Sequence, residues 1–258
     1  MDGVSPEEDR RISRRKWLAS LPAVGGLLLT TGCSREKYMP PVIRDGLIGV
    51  ADVLTMSSSR LLLSGQPLAR EYSRADVSDP FPTWNQTDPK HEEYQRHAAE
   101  GFRNWRLPIS GLVARPVELS LDQIRSMPAR TQITAHVCEQ GWSAIGEWTG
   151  APLKLVLAAA GGVTPQARYV VIDTYDRWYE GYDLFEVEHP QTILAYSLNG
   201  GDLPRGNGAP IRLRVERQCG YKQLKFVKSI RVVESMVGIG KGTGGINSDV
   251  GFHWFAGV

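Results

Sequence analysis

The most telling chemistry in this 258-residue chain lies in three cysteines and one dense run of cations. Cys138 follows Thr134-Ala135-His136-Val137, part of a strand-like alternation, and precedes the polar turn Glu139-Gln140-Gly141-Trp142-Ser143. A thiol placed where a strand enters a loop can be offered to a ligand while the strand fixes its direction. From position alone a buried structural thiol competes with that reading, and a Cys138–Cys219 disulfide is a further alternative in an oxidising compartment. Downstream, Arg212, Arg214, Arg217, Lys222, Lys225, Lys228 and Arg231 stand against Glu216 alone. Asn207-Gly208-Ala209-Pro210 precedes this tract and Gly220 interrupts it. Glycine lets backbone approach an anion, while lysine and arginine neutralise it. Solvated strand faces would give the same pattern, but a phosphorylated cofactor fits the glycines as well as the charges.

Other chemistries leave less trace. His136, His189 and His253 are not at metal-ligand spacings, so each reads as structural or as a hydrogen-bond donor. There is no nucleophile elbow, no P-loop and no dinucleotide fingerprint leading from a strand into a helix. The glycine-rich stretch from Gly238 to Gly245 reads as a loop. Net charge is only +2, from 30 basic and 28 acidic residues, so no nucleic-acid partner is expected.

The elements that must position these residues are short strands separated by turns. Strands are predicted near 104–110, 131–137, 169–172, 192–196, 211–215 and 228–233. Short helices are predicted after Ser120, ending at Pro128, and from Pro152 to Ala160, closed by Gly161-Gly162. Turns fall at Asn199-Gly200-Gly201-Asp202 and at Asn207-Gly208. The fold class is α+β, strand-rich and mixed, over residues 101–258. Residues 34–100 are rich in Pro, Ser and Asp and read as an extended arm wrapping that domain, with one helix near Glu92–Ala99. Trp84, Tyr94, Phe102 and Trp105 are hydrophobic anchors that a disordered linker would not need. With 41% hydrophobic and 9% aromatic residues, collagen-like and disordered chains are excluded.

Residues 1–33 read as an address. Arg10, Arg11, Arg14, Arg15 and Lys16 lead into an uncharged run from Trp17 to Ser34, diluted by Pro22, Gly25 and Gly26. Ser13-Arg14-Arg15-Lys16-Trp17-Leu18 resembles a twin-arginine export signal; a retained anchor helix is the competing reading. Leu29-Thr30-Thr31-Gly32-Cys33 ends like a lipoprotein cleavage site, which would leave the chain lipid-anchored through Cys33. The twin-arginine route carries folded proteins, commonly with a cofactor already inserted.

His136-Val137-Cys138-Glu139-Gln140-Gly141-Trp142-Ser143, followed by Trp148-Thr149-Gly150-Ala151-Pro152-Leu153, resembles the molybdenum-ligating segment of the sulfite oxidase family. His189-Pro190-Gln191-Thr192-Ile193-Leu194-Ala195-Tyr196, Asn207-Gly208-Ala209-Pro210-Ile211-Arg212-Leu213 and Gly220-Tyr221-Lys222-Gln223-Leu224-Lys225 resemble its later signatures, in order. The resemblance covers roughly residues 80–258. It points to the bacterial exported branch that includes the catalytic subunit of periplasmic methionine sulfoxide reductase.

That resemblance implies a sulfite-oxidase-type molybdopterin-binding fold and a molybdenum held by a pyranopterin dithiolene (molybdopterin) and one protein thiolate, Cys138, as catalytic residue and metal ligand. It implies that Asn207 and Arg212 hold the pterin cofactor, that Gln223 and Lys225 belong to its phosphate-side loop, and that Asn85, Thr174 and His189 contact it. The implied activity is that of a periplasmic molybdopterin-dependent oxidoreductase that reduces an S-oxide or N-oxide type substrate. Having no haem-attachment motif, the chain would take electrons from a separate membrane haem or quinol-linked protein. Trp142, Trp178 and Tyr179 read either as the lining of an apolar substrate funnel or as ordinary core or rim aromatics. The chain departs from sulfite oxidases proper in having no arginine soon after the cysteine, and Glu139-Gln140 stands where many relatives have glutamate at the second position. A sulfite-oxidising enzyme and a non-catalytic exported binding module of the same fold are the alternative readings.

Overall fold

A computed structural model describes residues 49–258. The proposed signal, Cys33 and the first part of the arm lie outside the described residues. In chain order the elements are α1 (Gly49–Leu62), α2 (Glu92–Ala99), β1 (Arg106–Gly111), β2 (Val117–Ser120), α3 (Leu121–Arg125), β3 (Arg130–Val137), β4 (Ser143–Pro152), α4 (Leu153–Ala159), β5 (Tyr169–Thr174), β6 (Tyr179–Asp183), α5 (Leu184–Val187), β7 (Ile193–Leu198), β8 (Gly201–Asp202), β9 (Arg212–Arg214), β10 (Val227–Val233) and α6 (Ile246–Asp249).

The strands form two mixed-order sheets. One runs β2-β1-β10-β5-β6, with β1 parallel to β10 and the other pairs antiparallel. The other runs β3-β4-β7-β8, with β9 paired to β7. Residues 50–258 form one compact unit, and its principal core draws on both sheets: Leu107, Ile109, Ile172 and Ile230 from the first, Ala151, Leu194 and Leu213 from the second. Aliphatic and β-branched side chains on pleated surfaces interlock there, and their removal from water is the main driving force for folding.

Local signals act where the chemistry predicts. Ser120 caps α3 in a reciprocal capping box with Gln123. Gly161 and Gly162, both at positive φ, end the turn after α4. The helix predicted near Glu92 is α2, whose Tyr94 is wholly buried, as is Trp105.

The arm differs from expectation at 49–62, which is a 14-residue helix, α1, rather than extended chain. Its Ser57-Ser58-Ser59 run has weak helix preference, but Arg60 ties it down, pairing with Asp183 and Glu186 and stacking on Phe185. From there the arm is laid on the second sheet. Gln191 clamps the backbone of Ala69 from both sides, Tyr72 N donates to Ile133 O, and Ser78 N donates to Ile145 O. Among the described residues no helix is long and apolar enough to cross a membrane.

Candidate active site

Strand β3 carries its polar residues inward. Gln132, Thr134 and His136 are buried, while Thr131, Ile133 and Ala135 are less so. Under them, β9 sends Arg214 and the loop beyond it sends Glu216, joined as a fully buried ion pair with bonds of 2.9 and 2.6 Å. Gln132 Nε2 donates to the same carboxylate at 2.7 Å, and Arg214 Nη1 lies 3.1 Å from His136 Nδ1. Burial, with the Arg212 and Arg214 charges beside it, pushes His136 down to about 2, so it is neutral at any physiological pH.

Cys138 sits where β3 ends. The turn closes on it through Cys138 N to Trp142 O and Gly141 N to Cys138 O, with Gly141 at φ +87. Its sulfur lies 3.5 Å from Glu139 Oε2. Burial raises the thiol, and the Glu139 carboxylate adds to the rise, so by itself the group is a thiol. A metal cation bound there would reverse that balance. Cys138 and Cys219 are both free, so the disulfide alternative is not realised. Cys219 instead donates to Val137 O.

Cys138 faces a cavity whose wall includes Asn85, His136, Trp142, Asp176, Trp178, Asn207, Arg212, Gln223 and Lys225, with Trp84 at the rim. The structure thus gathers six of the sequence-derived candidates: Cys138, Asn85, Asn207, Arg212, Gln223 and Lys225. Two others are not on that wall. Thr174 is one step behind it, with its hydroxyl turned to Asp176. His189 is buried at the arm seam, donating through Nε2 to Pro67 O at 3.2 Å and accepting from Gln191 N, and burial pushes it down to about 4. Of the three funnel aromatics, Trp142 and Trp178 line the cavity; Tyr179 is occupied with Asp249. Sequence reasoning passed over Asp176 altogether and treated His136 as structural. The one available signal for His136 was its place two residues before Cys138, on the same face of a strand.

The basic tract divides in two. Arg214, Arg217, Lys222, Lys228 and Arg231 each have a carboxylate partner. Arg212 and Lys225 have none within ion-pair distance among the described residues, and both line the cavity. Arg212 is buried over the Trp148 ring, bonded only to Asn207 O at 3.3 Å, and its Nε has no partner among the described residues. Burial and the neighbouring Arg214 push its guanidinium below the usual range. Burial and Arg212 together push Lys225 down to about 8. Lys225 Nζ donates to Trp84 O, Gln86 O and Gly206 O, drawing the arm across the mouth on both sides of Asn85. Two glycines keep this region open. A Cβ on Gly208, at φ +116, would press on Lys225 at 2.9 Å, and one on Gly220 would meet the His136 ring at 2.9 Å.

Uncompensated buried cations are costly unless an anion joins them. Next to them sits a soft thiol, a ligand type suited to a transition metal. The site therefore fits an anionic organic group carrying a metal that Cys138 can ligate.

Comparison with known proteins agrees. Residues 93–237, more than half of the chain, match the oxidoreductase molybdopterin binding domain. The chain belongs to this family of molybdopterin-dependent oxidoreductases. It is 33% identical over 250 residues to the putative protein-methionine-sulfoxide reductase subunit YedZ1 of Azospira oryzae, covering 95% of this chain and 88% of that protein. It is 31% identical over 245 residues to the protein-methionine-sulfoxide reductase catalytic subunit MsrP of Xanthomonas campestris, covering 86% and 70% respectively. Among solved structures, the sulfane dehydrogenase SoxCD of Paracoccus pantotrophus aligns with 24% identity and a TM-score of 0.49, over 52% of this chain and 39% of that one. In this molybdopterin-binding oxidoreductase, Arg212, Lys225, Asn207, Gln223 and Cys138 line one cavity.

Proposed function

We propose that this chain is the catalytic subunit of a periplasmic reductase acting on S-oxide or N-oxide type substrates, with methionine sulfoxide groups foremost. Electrons would come from a separate membrane haem or quinol-linked protein. The observation that carries the reading is that Cys138 shares one cavity with Arg212 and Lys225, the two cations of the basic tract left without acidic partners. The names of the two relatives support the substrate class.

When bound, the cofactor supplies a metal that exchanges two electrons and takes up or gives up an oxygen atom. The chain's own residues do the rest. Cys138 anchors the metal, and Arg212 and Lys225 hold the cofactor's negative charge. Asn207 and Gln223 supply amide contacts, with Asn85 at the mouth; contacts from Thr174 and His189 would require reach from behind the wall. Trp84, Trp142 and Trp178 form an aromatic approach, favourable for sulfur-bearing groups. Glu139, beside the thiol, disfavours an anionic substrate such as sulfite and favours a neutral S-oxide. Export through residues 1–33 by the twin-arginine route, an arm over 34–100 and a catalytic domain over 101–258 complete the proposal, with lipid attachment at Cys33 as an added anchor.

The test begins with molybdenum and pterin content of protein recovered from the export compartment. About one of each per chain is expected, together with reduction of a methyl sulfoxide by a reduced viologen dye. Cys138→Ser should abolish turnover and leave the circular dichroism spectrum unchanged. Protein without metal or pterin from a host that loads related enzymes, or a fully active Cys138→Ser variant, would overturn the assignment.

A further inference from the structure

The turn joining β5 to β6 reaches into the cavity. Thr174 N donates to Trp178 O, Trp178 N donates to the Thr174 hydroxyl, and Arg177 takes a left-handed φ of 68° between the two pocket-facing residues Asp176 and Trp178. Such backbone in a non-glycine residue is strained and clusters at functional sites. Here it aims a carboxyl and an indole at the same space. The Thr174 hydroxyl donates to Asp176 Oδ1. The charged groups around the carboxyl are Lys225 across the cavity, which favours ionisation, and the Tyr94 phenol of α2, itself pushed up to about 12. Burial outweighs Lys225 and the Thr174 bond and raises the Asp176 carboxyl.

Removing the oxygen of an S-oxide as water consumes two electrons and two protons, and leaves a thioether. Some group in the cavity must carry those protons past a wall of tryptophans. Of the other titratable groups on the wall, His136 is turned to Gln223 and Arg214, Glu139 to the Cys138 sulfur, and Lys225 to three backbone carbonyls. We propose that Asp176 is the proton donor of this site, held in register by Thr174 as a positioning residue. It passes one proton to the oxygen leaving the sulfur, is reprotonated from solvent and passes the second, so that water departs, while the two electrons come from the reductant. This rests on the reductase reading above.

The holoenzyme, Asp176→Asn and Asp176→Glu are compared with a reduced viologen as donor. Asp176→Asn should keep wild-type molybdenum and pterin content, lose about 10²-fold or more in kcat, and lose the fall in rate that wild type shows as pH rises through the carboxyl's range. Asp176→Glu should recover part of the rate. Infrared difference spectra between acidic and neutral pH should show a protonated-carboxyl band that persists above the ordinary aspartate range in wild type and that Asp176→Asn removes. That band needs no substrate, so it reports on Asp176 even if wild type reduces no S-oxide, which would defeat the reductase reading alone. An unchanged rate and pH profile in Asp176→Asn, absence of the band, or loss of cofactor from the variant would each overturn the proposal.

Discussion

Both sheets contribute to the shared apolar core, but the second also buries a polar set of its own. In the first, β5 and β10 present Val170, Ile172, Ile230 and Val232, all essentially buried and wholly apolar. In the second, β3 and β9 present Gln132, Thr134, His136 and Arg214, closed by Glu216. Apolar packing is non-directional and tolerates exchange of similar side chains. A buried polar network does not, because each unpaired member keeps its full desolvation cost. The first face builds a scaffold, and the second holds Cys138 and the cavity wall in one geometry.

Three changes put this contrast under strain. Arg214→Met leaves the buried Glu216 carboxylate with the neutral Gln132 amide but no cation, so it should cost about 3–5 kcal/mol, whereas Arg214→Met combined with Glu216→Met should recover most of that loss. Urea unfolding of cofactor-free protein reads both; a single variant costing under about 1 kcal/mol would mean the pair does not organise the face. Ile172→Val, on the apolar face, should cost only about 0.5–1.5 kcal/mol in the same assay, with cofactor content unchanged. The last change is at Lys225, on the cavity wall. Its folded-state value, about 8, lies below its ordinary 10.5. The charged form therefore burdens the cofactor-free fold below pH 8, and that burden lifts as pH rises from 8 towards 10.5. Cofactor-free wild type should gain stability across that window, read as a rise in Tm. Lys225→Met should show no such gain, and parallel pH curves would rule out an uncompensated cation.

Much of the scaffold was legible because it rests on local chemistry. The Ser120 capping box, the paired glycines after α4 and the helix at Glu92 all follow from side chains acting within a few residues of themselves. Strand β4 was not predicted as an element, and α1 was read as extended chain. The first is pinned between β3 and β7, and the second by Arg60 on α5; both depend on partners distant in sequence. On β3 the alternation was visible, but which phase faced inward was not, since ordinary patterning would have buried the apolar side chains.

By itself the sequence determined the residue types available for chemistry: a thiol at a strand end, a tract of seven cations against one acid, and glycines where backbone must come close. Its ordered motifs also carried the family, because those short stretches keep their spacing whatever surrounds them. Only the tertiary structure decided which cations are spent on internal ion pairs and which two remain for a ligand, since Glu180, Glu186, Glu93 and Asp173 come from other strands and helices. It alone brought Asp176 to the cavity of Cys138. Charge is a property of the residue, but its compensation belongs to whatever the fold places within a few ångströms of it.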